Sequence, residues 1–175
     1  NGKRVDLQSY DFAGRQIWSA QPLEFNGEHG YSYTPLLYHD LLILDCRQEG
    51  EAALLALDKH SGKVRWRVEP ARRRISHITP LLITDGGRQQ LIVCGSDEIR
   101  SVNPDTGESW WWCRGPSDVA VAGLSYGDGL VFATAGYPDR TRMAVRVDGN
   151  GDVTDTHVAW KSRRQVTYVP SPVFQ

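Results

Sequence analysis

A nine-residue phrase decides the fold of this chain, and its clearest copy is Asp58-Lys59-His60-Ser61-Gly62-Lys63-Val64-Arg65-Trp66. Related phrases occupy 10–18 and 103–111, and in all three copies a tryptophan follows a glycine by four positions. A fourth, stretched copy leads from Asp148 to Trp160. The four tryptophans are 48, 45 and 49 residues apart. A period in the forties indicates one supersecondary unit per repeat.

Short apolar runs rich in β-forming residues separate the phrases, and each repeat carries four of them. The fourth run holds the tryptophan. The first three runs of successive repeats are 34–37, 41–44 and 53–57; 79–82, 91–94 and 99–102; and 122–125, 130–133 and 144–147. No segment keeps a 3.6-residue apolar period, so we expect almost no helix. Four short antiparallel strands per repeat predict an all-β fold built of β-propeller blades.

Each phrase has a mechanical role between the third and fourth strands. Asp or Asn opens the turn by bonding the backbone ahead of it, and Gly supplies the positive φ that closes it. The tryptophan then lies on the outer strand, where its ring packs against the neighbouring blade. The residues predicted to dock blades in this way are Asp11, Gly14, Trp18, Asp58, Gly62, Trp66, Asn103, Gly107, Trp111, Asp148 and Trp160.

The phrase resembles the repeat of pyrroloquinoline-quinone-like (quinoprotein) β-propellers, whose signature is a small residue, Asp, Thr-Gly-Lys and then Trp. The segment 56–66 fits this signature closely, and 103–111 fits with Asn103 in place of Asp. The stretch 149–160 resembles a variant blade of the bacterial, non-enzymatic members, and 170–173 resembles the first strand of a following blade. The resemblance implies the fold, whereas the activity stays open because the repeat serves enzymes and non-enzymes alike.

The repeats predict a single propeller domain or fragment over 1–175. Complete blades are expected at 32–68, 76–113 and 119–161, and partial blades at 1–20 and 168–175. Relatives close with seven or eight blades, so the chain is expected to be part of such a ring. Its start at Asn1, without Met, also indicates a piece of a longer protein. A closed four-bladed ring, and a homodimer in which two chains complete one propeller, remain alternatives.

Composition excludes several classes of protein. The 175 residues carry 20 Lys and Arg against 21 Asp and Glu, a net charge of −1, which argues against a nucleic-acid-binding protein. No apolar run approaches the roughly 18 residues that would suggest a membrane span. The three cysteines, Cys46, Cys94 and Cys113, are far apart and form no CxxC motif, so we expect small buried side chains rather than a zinc site or disulfides.

Three motifs are candidates for chemistry, and the sequence argues against each. Quinone-holding relatives cap their cofactor with two adjacent cysteines, which this chain lacks, so no cofactor is expected. Asp148, Asn150 and Asp152 have the spacing of a calcium loop, but the positions that should be Gly and Glu are Val153 and Ala159, so these three remain weak metal candidates. The G-x-S-x-G motif at 123–127 is followed by a strand where a nucleophile elbow needs a helix.

Several surface features could carry binding. Arginine-rich segments at 72–74 and 161–164 each follow a tryptophan strand, and their period places them on one face of the ring as a possible surface for anions or acidic peptides. Strand alternation predicts that Trp110 and Trp112 both lie opposite Trp111. The remaining candidates, which blade packing or solvation explains as well, are His29, His39, His60, His77, His157, Tyr31, Tyr33 and Tyr168.

The sequence favours a non-catalytic binding or scaffold module for protein or peptide partners, with no catalytic residue assigned. The resemblance implies this, because similar propellers of outer-membrane protein assembly bind β-strand peptides and partner proteins. The competing class is a portion of an alcohol or sugar dehydrogenase, and only that class would use pyrroloquinoline quinone and calcium. A sensor domain fused to a signalling protein is a further alternative. The resemblance also implies a location in the periplasm or at the cell surface.

Overall fold

A computed structural model describes residues 4–24, 34–48, 50–72 and 75–174. These residues form fifteen β-strands and no helix, which confirms the all-β prediction. Because they contain no helix, the part of the chain that is described offers no helical candidate for a membrane span. The strands make four successive sheets, and all pairings between neighbouring strands are antiparallel except one, between the tenth and fourteenth strands, which is parallel.

The first sheet is a hairpin of two strands, β1 (Arg4–Tyr10) and β2 (Gln16–Glu24). The turn between them contains the first phrase. Two register shifts interrupt the pairing, one between Val5 and Leu7 and one between Ser9 and Tyr10. Ser9 pairs with Trp18, so the tryptophan lies beside the end of the preceding strand.

The second sheet has the complete blade pattern of four strands in sequence order. They are β3 (Leu36–Tyr38), β4 (Leu41–Cys46), β5 (Ala53–Asp58) and β6 (Val64–Val68). Strand β3 begins one residue after Pro35, which has no N–H to give to a ladder. A bulge between Ala56 and Leu57 lets Ala56 pair with Trp66, the same arrangement as Ser9 with Trp18.

The third and fourth sheets repeat the plan. The third contains β7 (Leu81–Asp85), β8 (Arg88–Gly95), β9 (Glu98–Val102) and β10 (Ser109–Arg114). The remaining five strands are β11 (Ser125–Gly127), β12 (Leu130–Ala135), β13 (Thr141–Arg146), β14 (Gly151–Asp152) and β15 (Val158–Ser162). The fourth sheet joins β11, β12, β13 and β15, while β14 pairs in parallel with β10 of the third sheet.

This fifth strand of the third sheet was not predicted from the sequence, which indicated only that the fourth phrase is longer than the others. The added residues instead reach back to the preceding sheet, where Trp111 pairs with Gly151 and Trp112 with Asp152. The Val153 N–H also donates to the Trp112 carbonyl over 2.9 Å. The insertion therefore clamps the third sheet to the fourth.

Three apolar clusters hold the sheets together, and each draws its residues from two successive sheets. Val5 and Leu23 of the first sheet meet Leu55 and Leu57 of the second. The next two clusters join the second sheet to the third, and the third to the fourth. Because neighbouring residues of a strand point to opposite faces, β5 buries Leu55 against one neighbour and Leu54 against the other. The chain is thus a partial β-propeller of stacked blades.

The C-terminal segment packs on the fourth sheet without forming a strand. The Thr134 hydroxyl donates to the Thr167 carbonyl over 2.7 Å, and the Gly123 N–H donates to the Ser171 hydroxyl oxygen over 2.9 Å. The ring of Phe174 lies 5.9 Å from that of Phe132, centroid to centroid. The segment 168–174, which resembles the start of another blade, therefore lies against the fourth sheet.

Candidate functional sites between the blades

The first blade boundary is closed by Trp18 and the turn of the second sheet. The Trp18 indole N–H donates to the Lys59 carbonyl over 2.9 Å. Its ring lies so close to Gly62 that a Cβ atom on that glycine would be 2.6 Å from the indole carbon Cε3. Gly62 also has a φ of +70°, which L-residues with side chains adopt at a cost. Two independent constraints therefore select glycine here.

The second boundary repeats the contact one blade further on. The Trp66 indole N–H donates to the Pro104 carbonyl over 3.2 Å, and a Cβ on Gly107 would lie 2.8 Å from the Trp66 ring. Gly107 has a φ of +77°. Trp18 and Trp66 thus each lie on the closing glycine of the next phrase.

The third boundary uses a different bond for the same tryptophan position. Trp111 is fully buried, and its indole N–H donates to the Gln90 side-chain oxygen over 2.9 Å. The Gln90 amide donates in turn to the Val147 carbonyl over 3.0 Å, and the Ser101 hydroxyl donates to Gln90 over 2.7 Å. Sequence reasoning missed Gln90, whose only signal is a polar residue at the start of an apolar run.

The outermost members of the repeat lie at the two ends of the stack. A Cβ on Gly14 would meet nothing within 4 Å. Trp160 is 42% exposed, with the Arg142 guanidinium 5.8 Å from the centre of its ring. Two of the predicted docking tryptophans therefore pack on the glycine of the next phrase, a contact that the sequence did not predict. Within the described residues, Gly14 and Trp160 contact no further blade.

Side chains cap the turns of the phrases, but in the fourth phrase the capping residue is not the one that the sequence predicted. Asp58 accepts hydrogen bonds from the backbone of His60 and Ser61, and Asn103 accepts one from Asp105. In the fourth phrase the capping side chain is that of Asp152, which accepts from the Thr154 N–H over 3.0 Å. Asp148, which the sequence analysis placed in this role, lies before the insertion, with its carboxylate 3.6 Å from His157 Nε2.

Hydrogen bonding shifts the titration of these caps. The Ser61 hydroxyl, followed by the backbone N–H groups of Ser61 and His60, lowers the pKa of Asp58 below its usual value. Bonds from the Arg15 backbone and side chain lower the pKa of Asp11 in the same way. The Thr154 hydroxyl does so for Asp152, with a smaller effect of Arg114. The charged form of each cap is therefore favoured in the fold.

The candidates for metal binding and hydrolysis do not assemble a site among the residues that are described. Asp148 and Asn150 precede β14 and Asp152 belongs to it, and no group of three His, Cys, Asp or Glu side chains among the described residues is placed to hold a metal ion. Ser125 begins β11 and pairs with Phe132 of the next strand. A tight turn and a second strand follow it, so the strand–turn–helix geometry of a nucleophile elbow is absent from this segment.

The prediction that Trp110 and Trp112 share one face is wrong. A register shift between Ser109 and Trp111 breaks the alternation of β10. Trp110 consequently packs with the core between the third and fourth sheets, where the Arg88 guanidinium lies 5.6 Å from its ring centre. Trp112 lies on the other side, in a crevice between the second and third sheets.

This crevice is a cavity of about 490 Å³. We call it the arginine crevice. Its lining residues are Arg47, Pro70, Ala71 and Arg72 from the second-sheet side, and Ser96, Asp97, Glu98, Arg100, Trp112 and Arg114 from the third. Of the arginine-rich segment 72–74, Arg73 and Arg74 lie outside the described residues. Lys161, Arg163 and Arg164 of the other arginine-rich segment do not line the crevice.

A buried ion pair supports the wall of the crevice. Asp45 and Arg47 are both buried, and Arg47 Nε lies 3.1 Å from the nearer carboxylate oxygen. The Arg47 guanidinium also donates to the Gly95 carbonyl of the third sheet over 2.6 Å. Burial raises the pKa of Asp45, and the neighbouring Arg47 charge opposes that rise. The pair therefore ties the second sheet to the third.

A second cavity, of about 580 Å³, lies between the same two sheets at the turns of their phrases. It is acidic, with Asp40, Asp58 and Asp105 against Arg65. Two of the candidate histidines, His39 and His60, also line it. The two cavities between one pair of sheets therefore carry opposite charge.

The remaining candidates are placed as follows. The His77 backbone N–H donates to the Ala120 carbonyl, and Tyr168 packs on Gly136. His29, Tyr31 and Tyr33 lie outside the described residues. All three cysteines are buried and free. Burial raises the pKa of the Cys46 and Cys113 thiols to about 12, and raises that of Cys94 as well.

Comparison with protein-family models gave no match, and comparison with curated proteins gave none either. Solved structures do resemble the chain. BamB from Moraxella catarrhalis aligns with a TM-score of 0.59 and 18% identity over 93% of this chain and 44% of BamB. The chain therefore spans less than half the length of that relative.

Two quinohemoprotein alcohol dehydrogenases are also similar. ADHIIG from Pseudomonas putida HK5 aligns with a TM-score of 0.55 and 14% identity, over 78% of this chain and 21% of the enzyme. The enzyme from Comamonas testosteroni aligns with a TM-score of 0.53 and 13% identity, over 86% of this chain and 31% of the enzyme. Similarity at this identity shows the fold, which is that of the quinoprotein-like β-propellers.

Proposed function

We propose that this chain is part of a non-catalytic binding or scaffold module for protein or peptide partners. The observation that carries the proposal is the open edge of β1. Among the described residues β1 pairs with β2 alone, whereas each blade with four strands has two strands in that place. Within the described residues the seven residues of β1 have no second partner strand, and we propose that an extended segment of a partner adds to their main-chain hydrogen-bonding groups.

An apolar shelf beside this edge supports strand addition. Leu37 and Leu42 pair across β3 and β4, on the face of the second sheet that looks toward the first. Leu37 is 66% exposed. A strand next to β1 would cover both leucines with alternate side chains. The occupant is therefore expected to carry apolar side chains at alternate positions, which all point to one face of a strand.

The test is a synthetic, fluorescein-labelled peptide copying residues 128–137, which contain β12, the second strand of its own sheet. We expect saturable binding by fluorescence anisotropy and slower hydrogen exchange of the β1 amides. Leu37→Asp, which puts a charge on the shelf, should weaken binding about tenfold or more, equivalent to roughly 1.4 kcal/mol. Val64→Asp, at an exposed position of β6, is the matched control and should leave the affinity unchanged.

The same peptide with alternate backbone amides N-methylated tests the mode of binding. It keeps the side chains but cannot complete a ladder of hydrogen bonds. The proposal fails if this peptide binds as well as the parent, or if neither protects the β1 amides.

The second candidate function is a portion of a quinone- and calcium-dependent alcohol or sugar dehydrogenase, which the similarity to two quinohemoprotein enzymes favours. The residues of this chain do not fit the cofactor as the family resemblance describes it. The sequence has no adjacent cysteine pair, and Cys46, Cys94 and Cys113 are buried in separate strands. Saturable one-to-one uptake of pyrroloquinoline quinone with calcium, read by absorbance, would favour the enzyme, and no uptake would favour the binding module.

The periplasm or cell surface is the proposed location. It rests on the resemblance to bacterial propellers and on the similarity to BamB and the quinoproteins. The sensor alternative depends on sequence fused to this chain, and a signalling domain encoded in the same gene would support it.

A further inference from the structure

The arginine crevice combines positive charge with an aromatic wall. Its lining contains four arginines, Arg47, Arg72, Arg100 and Arg114, and two acidic residues, Asp97 and Glu98. With Asp45, which pairs with Arg47 in the wall, counted beside them, the formal excess is one positive charge, although the whole chain carries −1. A positive crevice on a nearly neutral protein concentrates anions locally.

Two of the arginines are held by partners and form a fixed wall. The Arg100 guanidinium donates to both carboxylate oxygens of Glu98 over 2.7 and 2.8 Å, and to the Ser109 hydroxyl over 2.9 Å. Arg47 is buried against Asp45. These side chains shape the crevice, and most of their donors are already used.

Arg72 and Arg114 differ from that pair. Both are exposed and lie on opposite walls, Arg72 after the second sheet and Arg114 at the end of β10. No hydrogen bond or ion pair within the part of the chain that is described engages either guanidinium. The Arg114 charge reaches Asp152 only as a weak electrostatic effect. Each guanidinium can therefore hold a carboxylate from solvent in bidentate geometry.

Trp112 completes the site. Its half-buried indole lines the crevice beside Arg100 and Arg114. An aromatic wall excludes water, which strengthens charge-assisted bonds nearby, and it packs against the methylene groups of an acidic side chain. The crevice is open and large enough for several side chains. These features suit carboxylates carried on an extended chain better than one small anion.

We propose that the arginine crevice binds an acidic segment of a partner polypeptide, with Arg72 and Arg114 each taking a carboxylate and Trp112 packing against the chain that carries them. The proposal rests on the proposed function only in taking a polypeptide as the partner. The site is distinct from the open edge of β1.

The probe is a fluorescein-labelled hexaglutamate peptide, titrated at about 50 mM salt, where screening is weak. We expect saturable binding that weakens as salt rises. Arg72→Gln and Arg114→Gln should each raise Kd about tenfold, the loss of one charge-assisted pair. Both side chains are exposed, so folding should be preserved, and unfolding curves will check this. Arg163→Gln, an exposed arginine of the other arginine-rich segment, is the matched control and should leave Kd within about twofold.

Four results would overturn the proposal. They are no saturable binding of hexaglutamate, equal weakening by Arg163→Gln, equal binding of hexaglutamine, and displacement by inorganic phosphate or free glutamate at the peptide's own concentration. The last would indicate a pocket for free anions. Leu37→Asp should leave hexaglutamate binding unchanged, and Arg114→Gln should leave binding of the strand peptide unchanged. Failure of this proposal and failure of strand addition are therefore distinguishable.

Discussion

Single glycines carry the contact between blades, because the tryptophan ring of one phrase lies where the side chain of the next phrase's closing residue would be. Gly62 and Gly107 meet Trp18 and Trp66 in this way, and both have positive φ. Gly14 has the same backbone conformation, with a φ of +78°, but no ring above it. Gly14 therefore serves as a control that separates the cost of a positive φ from the cost of a clash with the tryptophan ring.

Alanine at these glycines should measure the docking contact. Gly14→Ala should cost only the left-handed backbone conformation, about 1–2 kcal/mol. Gly62→Ala and Gly107→Ala should lose that amount and roughly 1–3 kcal/mol more, because the added methyl displaces an indole ring from a packed boundary. Urea unfolding of the three variants provides the comparison. Equal losses in all three would show that the ring contact contributes nothing.

The cysteines should be chemically silent in the folded protein. Burial raises the pKa of the Cys46 and Cys113 thiols to about 12 and shifts Cys94 in the same direction, so the reactive thiolate is scarce at neutral pH. We expect no rapid reaction with Ellman's reagent at about pH 8, and three reactive thiols per chain in guanidinium chloride. A thiol that reacts within seconds in the native protein would contradict the burial described here.

At the scale of elements, the phrase turns link stability to acid. The pKa of Asp58 is lowered by the Ser61 hydroxyl and then by the backbone bonds, so it lies below that of an unfolded aspartate, about 3.9. A lowered pKa in the fold contributes stability above the unfolded value, and that stability is lost as pH falls through the folded value. Asp11 and Asp152 have pKa values shifted in the same direction and add to the effect.

We therefore expect the free energy of unfolding to fall as the pH drops below about 4. Asp58→Asn should reduce the steepness of that fall. Asparagine is a fair substitute because Asn103 already caps the equivalent turn of the third sheet. Urea unfolding of both proteins between about pH 5 and pH 3 makes the measurement. An unchanged slope in the variant would mean that the folded and unfolded pKa values of Asp58 are equal.

The sequence predicts the elements well where the repeat is regular, and less well where a local irregularity decides the outcome. The four strands of each complete blade and the packing of Trp18 and Trp66 against the next blade follow from the spacing of the repeat. The bulge before Trp111 does not, and it sends Trp110 and Trp112 to different boundaries. The spacing also does not predict the insertion that forms β14 and makes Asp152 the residue that caps the turn. Such features depend on pairing between distant strands, which periodicity within one strand does not contain.

The candidate site is the least predictable part for the same reason. The period of the repeat predicted an arginine-rich face, but it did not predict that Arg114 or Trp112 would line that face. The crevice exists because the end of one sheet meets the connection that follows another. Its lining therefore comes from residues up to 67 positions apart in the sequence, from Arg47 to Arg114.

At the scale of the whole molecule, the outward face of the first sheet differs from the faces buried between sheets. In the second sheet, Ala53 and Leu55 face the first sheet and are buried. The matching positions of β1, counted from the tryptophan pairings, are Asp6 and Gln8. These polar side chains bond to each other, with the Gln8 amide donating to Asp6 over 3.2 Å. A second chain docked there would have to bury polar groups at a cost.

We therefore predict that the protein is a monomer by light scattering at micromolar concentration, rather than a dimer that completes one ring. Asp6→Ala with Gln8→Leu makes this face resemble the buried face of the second sheet and should raise the mass, because the exposed Trp160 at the other end then has an apolar surface to meet. Lys63→Leu with Glu108→Ala adds similar apolar area at exposed turns and should stay monomeric. A dimer of the unaltered chain would contradict the prediction, and association of both double variants would show only that added apolar surface aggregates.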